Sequence, residues 1–309
     1  MKISFIATVY NEESAVKPLL QSLFSQSKFP DEIIIVDGGS TDNTVSEISS
    51  FKFPDSCDKA KIKLLFKTGN RSVGRNEAIK NSTSEIIVCS DSGCTLDKDW
   101  IKNITKPFAN SKVDVVAGYY KGEGKKIFEK CLIPYVLVMP DRVDSRNFLP
   151  ATRSMAFRKS IWEKVKGFPE EFSNNEDYVF AKRLKKINAN ILFEKKAIVN
   201  WIPRANLKES FIMFYRFAKG DAESHIIRPK VILIFLRYTV GIFLIVPYAI
   251  SKSDLLLNIL FFIMPAYILW SIIKNYKYVG DSRAIFHLPL IQITSDVAVM
   301  VGTVRGLIG

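Results

Sequence analysis

Histidine and cysteine are scarce in this chain of 309 residues, and their scarcity excludes some kinds of site. The two histidines are too few and too far apart for a histidine-based metal centre; they are His225 and His287. The four cysteines contain no C-x-x-C pair, and because they fall in segments predicted to be cytosolic, reduced thiols are expected. These cysteines are Cys57, Cys89, Cys94 and Cys131.

Charged residues are nearly absent from two long stretches near the C-terminus. Residues 231–250 contain only Arg237, and residues 255–273 contain no charge. At about 1.5 Å per residue, each stretch is long enough to cross a hydrocarbon core of ~30 Å. Two buried core helices are the less favoured alternative, because neighbouring helices that are apolar on all sides are typical of lipid contact. The apolar tail at 285–308 carries Asp296 and Arg305, and is either a third span or a surface segment.

Basic residues flank both spans on the same side and predict their orientation. Arg216, Lys219, Arg228 and Lys230 precede the first span, Lys274, Lys277 and Arg283 follow the second, and the hairpin tip at 251–254 carries only Lys252 and Asp254. Because positive residues are enriched on the cytosolic side, we expect a multi-pass membrane protein with a cytosolic head and C-terminal tail. The first apolar run is too short for a signal peptide.

The net charge of +13 is the other strong bias of the composition. Part of this charge lies beside the predicted spans, where basic residues are attracted to anionic lipid headgroups. No RNA- or DNA-binding motif accompanies the charge. We therefore expect membrane lipid, and not nucleic acid, as a partner.

Apolar runs alternate with helical patterns through the first 120 residues. Strands are predicted at 2–9, 31–36, 61–67, 85–91 and 113–120, and helices at 13–26, 42–51, 72–81 (with Ser72 as N-cap) and 97–108. This alternation predicts an α/β fold with a mostly parallel central sheet that is covered on both faces.

The remaining segments are predicted to complete this domain and to join it to the membrane. A helix at 125–138, a polar loop at 141–147, a strand at 151–157, helices at 159–166 and 177–187 and a strand at 191–199 follow. We therefore expect a globular domain at 1–205, an amphipathic interfacial segment at 206–229, and a membrane region at 230–309.

Polar residues follow the first two predicted strands at the point where each strand ends. The first run, which includes Thr8, leads into Tyr10-Asn11-Glu12, and the second leads into Asp37-Gly38-Gly39. In a βαβ unit the ligand crevice lies at the carboxyl ends of the strands, where a carboxylate accepts hydrogen bonds from a nucleobase or a ribose hydroxyl. Although Asp37 alone would more often only cap its turn, the two neighbouring tips together predict a nucleotide site.

Further polar segments follow along the chain, and together they resemble a known enzyme family. They are Arg71-Ser72-Val73-Gly74-Arg75-Asn76, Asp91-Ser92-Gly93, the strand at 151–157 with Arg153, and Glu176-Asp177 at the start of a helix. With the two strand tips, they resemble family 2 glycosyltransferases, whose N-terminal half has the nucleotide-sugar-binding GT-A fold. The resemblance covers roughly residues 1–220 and is strongest in 4–42, 70–99 and 150–185.

The resemblance implies a role for each of these segments. Asp177 would be the catalytic base, with Glu176 beside it. Asp91, next to Ser92, would contact a divalent cation, Mg²⁺ or Mn²⁺, that bridges the diphosphate, although Gly93 stands where the family has a second acid. Arg75 is the first choice for a phosphate contact, and Arg71 is either a second contact or only a surface charge. Arg153 would face acceptor or phosphate. Arg216 would either neutralise the leaving diphosphate or belong to a membrane-facing helix.

The function implied is that of a membrane-anchored, inverting glycosyltransferase. It would move a sugar from a nucleoside-diphosphate sugar to a hydroxyl of a carbohydrate or lipid-linked acceptor at the cytosolic membrane face. Two alternatives stay open at this point. One is a polyprenyl-phosphate sugar synthase, and the other is a non-catalytic membrane scaffold whose GT-A head is degenerate.

Overall fold

The computed structural model describes residues 1–51 and 62–309, so Cys57 lies outside the described residues. The chain divides into two compact units, 1–122 with 139–202, and 123–138 with 203–309. The first unit contains every site residue proposed from the sequence except Arg216, which belongs to the second. The functional domain boundary at 205 stays a prediction.

The first unit is built on a sheet of eight strands within the described residues. The strands are β1 (Ile3–Val9), β2 (Glu32–Asp37), β3 (Ile62–Phe66), β4 (Ile86–Cys89), β5 (Cys94–Leu96), β6 (Val115–Gly122), β7 (Met155–Arg158) and β8 (Ile191–Trp201). Their order in the sheet is β3-β2-β1-β4-β7-β6-β8-β5. Strands β3, β2, β1 and β4 are parallel, whereas β7 runs antiparallel to both β4 and β6. The prediction of a mostly parallel α/β sheet is confirmed.

Eleven α-helices lie among the described residues. They are α1 (Glu13–Phe24), α2 (Thr44–Ser49), α3 (Arg71–Lys80), α4 (Trp100–Thr105), α5 (Ile127–Val136), α6 (Lys159–Lys164), α7 (Glu176–Lys186), α8 (Leu207–Glu223), α9 (Pro229–Ser251), α10 (Asp254–Tyr276) and α11 (Ala284–Ile308).

The central strands form because their sequences are apolar on both faces. In β1 every residue except Thr8 is buried, and β2 is buried from Ile33 to its end. A continuous apolar run is typical of a parallel strand that has helices on both sides. Helix α1 supplies one such cover through its buried face, which contains Leu19, Leu20, Leu23 and Phe24.

A cluster of three buried aromatic rings holds α7 against the sheet. The rings of Phe168 and Phe180 stack with 4.1 Å between centroids, and each contacts Phe157 of β7 edge-on. All three side chains are fully buried. Because Phe180 lies one turn into α7, this packing fixes the N-terminus of the helix, where Glu176 and Asp177 lie.

The structure corrects three local expectations. The N-cap of α3 is Asn70, whose side chain accepts a hydrogen bond from the backbone N–H of Val73, and Ser72 lies inside the first turn. The predicted helix at 97–108 begins at Trp100, because the short strand β5 and a turn occupy the preceding residues. The helix expected at 42–51 is limited to Thr44–Ser49.

Within the described residues, three helices of the second unit are long and apolar enough to cross a membrane: Pro229–Ser251, Asp254–Tyr276 and Ala284–Ile308. The apolar segment at 285–308, for which the sequence allowed either a third span or a surface segment, is therefore a third candidate span. Helix α11 packs closely on α8, since a Cβ atom at Gly302 or Gly306 would lie within 2.5 Å of a backbone oxygen of α8. The amphipathic segment thus has an apolar partner helix.

The isolated charges of α9 and α11 pair with each other. Arg237 donates to Asp296 over 2.8 Å, and Asp296 also accepts hydrogen bonds from Tyr267 and Gln292. Ionisable residues within membrane segments are costly unless they have such partners. This contact links all three candidate spans, because Tyr267 belongs to α10.

Candidate functional site

The loops after β1 and β2 are joined by hydrogen bonds. The side chain of Asn11 accepts a hydrogen bond from the backbone N–H of Thr41 over 2.8 Å, and the backbone N–H of Asn11 donates to the Ser40 hydroxyl. The backbone N–H of Glu12 donates to the Thr44 hydroxyl over 2.7 Å. Parallel pairing of β1 with β2 brings these ends together, so the predicted neighbours form one polar rim.

Asp37 closes the turn at the end of β2. Its carboxylate accepts hydrogen bonds from the backbone N–H groups of Gly39 and Ser40, at 2.9 and 2.8 Å, and from the Ser40 hydroxyl. The turn-capping role is therefore present. The residue is only 1% exposed, and nucleotide binding by Asp37 stays a prediction.

Tyr10 and Thr8 occupy different environments at the same strand end. The Tyr10 side chain is 60% exposed and presents its ring to solvent. Thr8 instead packs under α3, where a Cβ atom at Gly74 would lie 2.8 Å from the Thr8 methyl group. Only glycine allows this approach, which brings the N-terminal half of α3 close to the end of β1.

Arg75 lies in α3 and bridges two acidic residues. Its side chain is 4% exposed; Nη1 donates to Glu176 over 2.6 Å and Nη2 donates to Asp91 over 3.0 Å. The bridge joins the segment after β4 to the N-terminus of α7. The sequence favours Arg75 for binding phosphate; in the structure its guanidinium fork faces two carboxylates, and a phosphate contact stays a prediction.

Asp91 lies just beyond β4 among cationic side chains. Burial alone would raise the pKa of Asp91, but the charges of Arg75, Arg153 and Arg71 outweigh it and hold the pKa below its usual value. The Thr152 hydroxyl also donates a hydrogen bond to this carboxylate. Asp91 is therefore ionised at neutral pH and one-third exposed, with an oxygen available to solvent or ligand.

Asp177 lies in the first turn of α7, next to Glu176. Its Oδ1 accepts a hydrogen bond from the backbone N–H of Tyr178, and the preceding Asn175 adopts a left-handed conformation that turns the chain into the helix. Burial and the Glu176 carboxylate raise the pKa of Asp177 to about 6, although Arg75 and Arg153 oppose the rise. A carboxylate with such a pKa suits a proton acceptor near neutral pH.

Arg153 precedes β7 and lies between two aromatic rings. Its guanidinium carbon is 5.8 Å from the ring centre of Tyr120 and 5.4 Å from that of Trp201. Its charge lowers the pKa of both Asp91 and Asp177. The structure therefore brings four sequence-predicted residues into one electrostatic group around the Arg75 bridge: Asp91, Arg153, Glu176 and Asp177.

Asp97 and Asp99, the acidic residues that follow Gly93 in the sequence, have structural partners. Asp97 accepts a hydrogen bond from Asn200, and Asp99 interacts with Ser27 and Lys102. Across the described chain, no group of three or more His, Cys, Asp or Glu side chains is arranged to hold a metal. The donor set, with Asp91 as its carboxylate, fits a hard cation that also binds diphosphate and water, as Mg²⁺ does.

Of the remaining predicted residues, Arg71 acts on this electrostatic group through the effect of its charge on Asp91. Ser92 is buried beside Asp91, and Arg71 is exposed at the start of α3. Arg216 is exposed on α8 of the second unit, and its contact with a diphosphate stays a prediction. Burial raises the pKa of Cys94 to about 12, which agrees with a structural thiol.

Sequence reasoning missed Thr152, Tyr120 and Trp201. Thr152 could have been identified from the sequence, because it precedes Arg153 in a segment that carries the family resemblance. No comparable signal existed for the two aromatic residues, because a lone ring near the end of a strand is typical of core packing.

Comparisons with known proteins agree with this geometry. A family model described as glycosyl transferase family 2 matches residues 4–162. The chain is similar to the O-antigen chain rhamnosyltransferase RfbN of Salmonella typhimurium, with 25% identity over 68% of this chain and 71% of the relative. It is also similar to the glycosyltransferase AglE of Haloferax volcanii, with 24% identity over 72% and 73% of the two chains.

Solved structures share the fold. The crystal structure of S. aureus TarS 1-349 has a TM-score of 0.52 and 25% identity, and covers 72% of this chain and 64% of its own. The mannosyltransferase PcManGT from Pyrobaculum calidifontis, in complex with GDP-Man and Mn²⁺, has a TM-score of 0.67 and 16% identity, and covers 95% and 86%. The GT-A architecture is thereby confirmed.

Proposed function

Since the chain belongs to glycosyl transferase family 2, we propose that it is an inverting enzyme acting at the cytosolic face of a membrane. It transfers a sugar from a nucleoside-diphosphate sugar to a hydroxyl of a carbohydrate or lipid-linked acceptor. The observation that carries the proposal is the bridge from Arg75 to Asp91 and Glu176. This bridge sets a proton acceptor, Asp177, beside a carboxylate that suits the diphosphate end of a donor.

The donor nucleotide is proposed to bind at the rim formed by the loops after β1 and β2. Tyr10 has an exposed ring on which a base can stack, and the half-buried Glu12 offers a carboxylate to base or ribose donors. Asp37, which is 1% exposed, is proposed to contact the nucleotide from the end of β2. Asn11 holds the two loops together. Because β1 lies between β2 and β4 in the sheet, a nucleotide on this rim directs its diphosphate toward Asp91.

The reaction assigned to this site is a single displacement at C1 of the sugar. The acceptor oxygen attacks C1 while Asp177 removes the hydroxyl proton, because an unionised sugar hydroxyl is a poor nucleophile. The bond from C1 to the diphosphate oxygen breaks, and that oxygen keeps the electron pair. Glu176 keeps its ion pair with Arg75 and orients the start of α7.

Asp91 is the residue proposed to hold a divalent cation together with the diphosphate. Such a cation supplies positive charge to the phosphate oxygens when it is bound. Because Gly93 offers no second carboxylate, we expect the nucleotide to supply much of the coordination. The mannosyltransferase PcManGT was solved with GDP-Man and Mn²⁺, and its similarity to this chain is one of fold only.

The membrane placement is proposed from the three apolar helices and from the basic residues that flank them. Relatives named as an O-antigen chain rhamnosyltransferase and a poly-beta-1,6-N-acetyl-D-glucosamine synthase support a glycan acceptor. A lipid-linked glycan would place the reacting hydroxyl near the membrane interface. Membership in an enzyme family argues against the scaffold alternative, which rests on the missing second acid at Gly93. Hydrolysis of a nucleotide sugar by the protein would dismiss it.

The proposal is tested with full-length protein in detergent and a panel of UDP-, GDP- and dTDP-sugars with Mn²⁺. Release of nucleoside diphosphate from at least one donor is expected, with thermal stabilisation by the same nucleotide. No release and no stabilisation by any member of the panel would contradict the proposed function.

A further inference from the structure

Aromatic rings lie against the guanidinium of Arg153, whose charge also acts on Asp91 and Asp177 without a direct ion pair among the described residues. Among the described residues, neither an ion pair nor a hydrogen bond engages its guanidinium, whereas Arg75 is occupied by Glu176 and Asp91. Rings of Tyr120 and Trp201 lie on the guanidinium at 5.8 and 5.4 Å. A ring quadrupole attracts a cation without carrying a net charge, so the positive charge of Arg153 stays available to an anion.

Arg153 lies just beyond the paired residues of β4 and β7, close to the segment that carries Asp91. The two strands are antiparallel, with Cys89 paired to Met155, and the charge of Arg153 acts on the Asp91 carboxylate. The Ser90 hydroxyl donates to the backbone oxygen of Arg153 over 2.8 Å and fixes this segment beyond the paired strands. The arginine is therefore held at the tip that the donor diphosphate is proposed to reach.

The two rings come from separate strands that enclose this tip. Tyr120 lies in β6, and Trp201 ends β8, where it pairs with Cys94 of β5. The Trp201 side chain is only 6% exposed. Rigid neighbours on both sides restrict the long arginine side chain before a ligand arrives, which reduces the entropy lost on binding.

An available guanidinium at this place matches the chemistry of a diphosphate. The planar fork of arginine binds two phosphate oxygens at once. As the bond to C1 breaks, negative charge builds up on the diphosphate. In the segment Asp91-Ser92-Gly93, only Asp91 offers a carboxylate ligand for a cation, because Gly93 has no side chain, so the diphosphate itself would complete the coordination of that cation. The attraction between the diphosphate and a positive side chain would therefore become stronger as the bond breaks.

We propose that Arg153 binds the diphosphate of the donor and stabilises it as the leaving group, with Tyr120 and Trp201 as positioning residues. This inference rests on the proposed function and names the contact that holds its donor. Arg153 keeps its proton throughout and donates hydrogen bonds to the oxygen that retains the electron pair. A diphosphate on a lipid-linked acceptor has the same chemistry, so the experiment must separate the two sources.

The decisive comparison is between nucleoside diphosphates and monophosphates. Binding of UDP and UMP, GDP and GMP, and dTDP and dTMP is measured with full-length protein in detergent containing EDTA and no acceptor lipid. For Arg153→Gln, we expect diphosphate affinity to fall about 10- to 100-fold, the effect of losing charged hydrogen bonds. Monophosphate affinity should stay within about twofold, because the base and ribose sites are unchanged.

Matched variants separate charge, geometry and folding. Arg146→Gln removes an exposed arginine of the same unit and should leave all affinities unchanged. Tyr120→Phe keeps the ring and should behave as wild type, whereas Tyr120→Leu should weaken diphosphate binding selectively. Thermal unfolding of each variant shows whether it is folded, and Arg153→Lys tests whether the fork is needed in addition to the charge.

Each result supports or overturns the inference. Equal loss of diphosphate and monophosphate binding, or no loss of either, would overturn it. Unchanged nucleotide binding with a raised KM for a lipid-linked diphosphate acceptor would assign Arg153 to the acceptor instead. If wild type releases nucleoside diphosphate from a sugar donor while Arg153→Gln binds UDP, GDP and dTDP normally, only this inference fails; if wild type neither binds nor consumes any of them, the proposed function fails as well.

Discussion

Arg75 and Glu176 form a buried ion pair, with 2.6 Å between Nη1 and Oε1 and both side chains 4% exposed. The second half of the same guanidinium contacts Asp91. One arginine therefore links the helix start that carries Asp177 to the strand tip that carries Asp91. The distance between the proposed base and the proposed diphosphate contact depends on this bridge.

Removal of Arg75 should destabilise the head strongly. Arg75→Met leaves Glu176 buried without its cation, and breaking such a pair costs about 3–5 kcal/mol. Arg183→Gln, which breaks the more exposed Arg183–Glu171 pair, should cost about 1 kcal/mol or less. Denaturant unfolding of the full chain in detergent measures both, and equal effects of the two variants would contradict the importance of the bridge.

The pH dependence of turnover should report Asp177. Burial is the largest cause of its raised pKa; the charges of Glu176 and Asp91 raise the pKa further, and those of Arg75 and Arg153 lower it. Because the base works only when ionised, kcat/KM should rise with pH through about 6. Glu176→Gln removes a charge that raises this pKa, so the acidic limb should move to lower pH. Profiles of both proteins test this, and a limb that stays in place or moves to higher pH would contradict the assignment.

Activity should require a divalent cation that binds weakly in the absence of nucleotide. A Cβ atom at Gly93 would meet no described atom within 4 Å, so Gly93→Asp has room to add a second carboxylate. We expect this variant to bind Mn²⁺ about tenfold more tightly without nucleotide, since each added hard oxygen ligand strengthens the site. Gly93→Asn is the uncharged control. Full wild-type activity in excess EDTA would contradict the metal requirement.

Membrane orientation is tested with single added cysteines. A cysteine at Ser253, between α9 and α10, should react with a membrane-impermeant reagent from outside the cell, and a cysteine at Tyr278 should not. The parent chain gives the background from its own thiols, of which Cys89, Cys94 and Cys131 are buried. Labelling at Tyr278 but not at Ser253 would reverse the proposed topology.

Much of the fold follows from local sequence patterns. Continuous apolar runs predicted β1 and β2, and the polar residues after them do form one rim, because parallel neighbours end on the same side of a sheet. The predictions were wrong where a side-chain hydrogen bond determines the first residue of a helix. Asn70, not Ser72, caps α3 because its oxygen reaches the backbone N–H of Val73. Strand β5 is too short for a pattern to reveal.

Long-range partners could not be predicted in the same way. Arg75 and Glu176 lie 101 residues apart, and no local pattern specifies that they meet. The Arg75-Asn76 segment suggested phosphate binding, whereas folding directs this guanidinium to carboxylates. Likewise, Arg153 was marked by its segment, but Tyr120 and Trp201 reach it only through the register of β6 and β8.

The central claim is that Asp177 deprotonates an acceptor hydroxyl, and Asp177→Asn tests it most directly. This substitution keeps the side-chain volume and removes the base, so kcat should fall roughly 10²- to 10⁴-fold. Donor binding should barely change, because the nucleotide is held elsewhere, and Glu176→Gln should be milder. Such a loss would also favour a hydroxyl acceptor over a polyprenyl phosphate, which is already ionised and needs no base. Near-normal turnover by Asp177→Asn, or loss of nucleotide binding together with activity, would contradict the account.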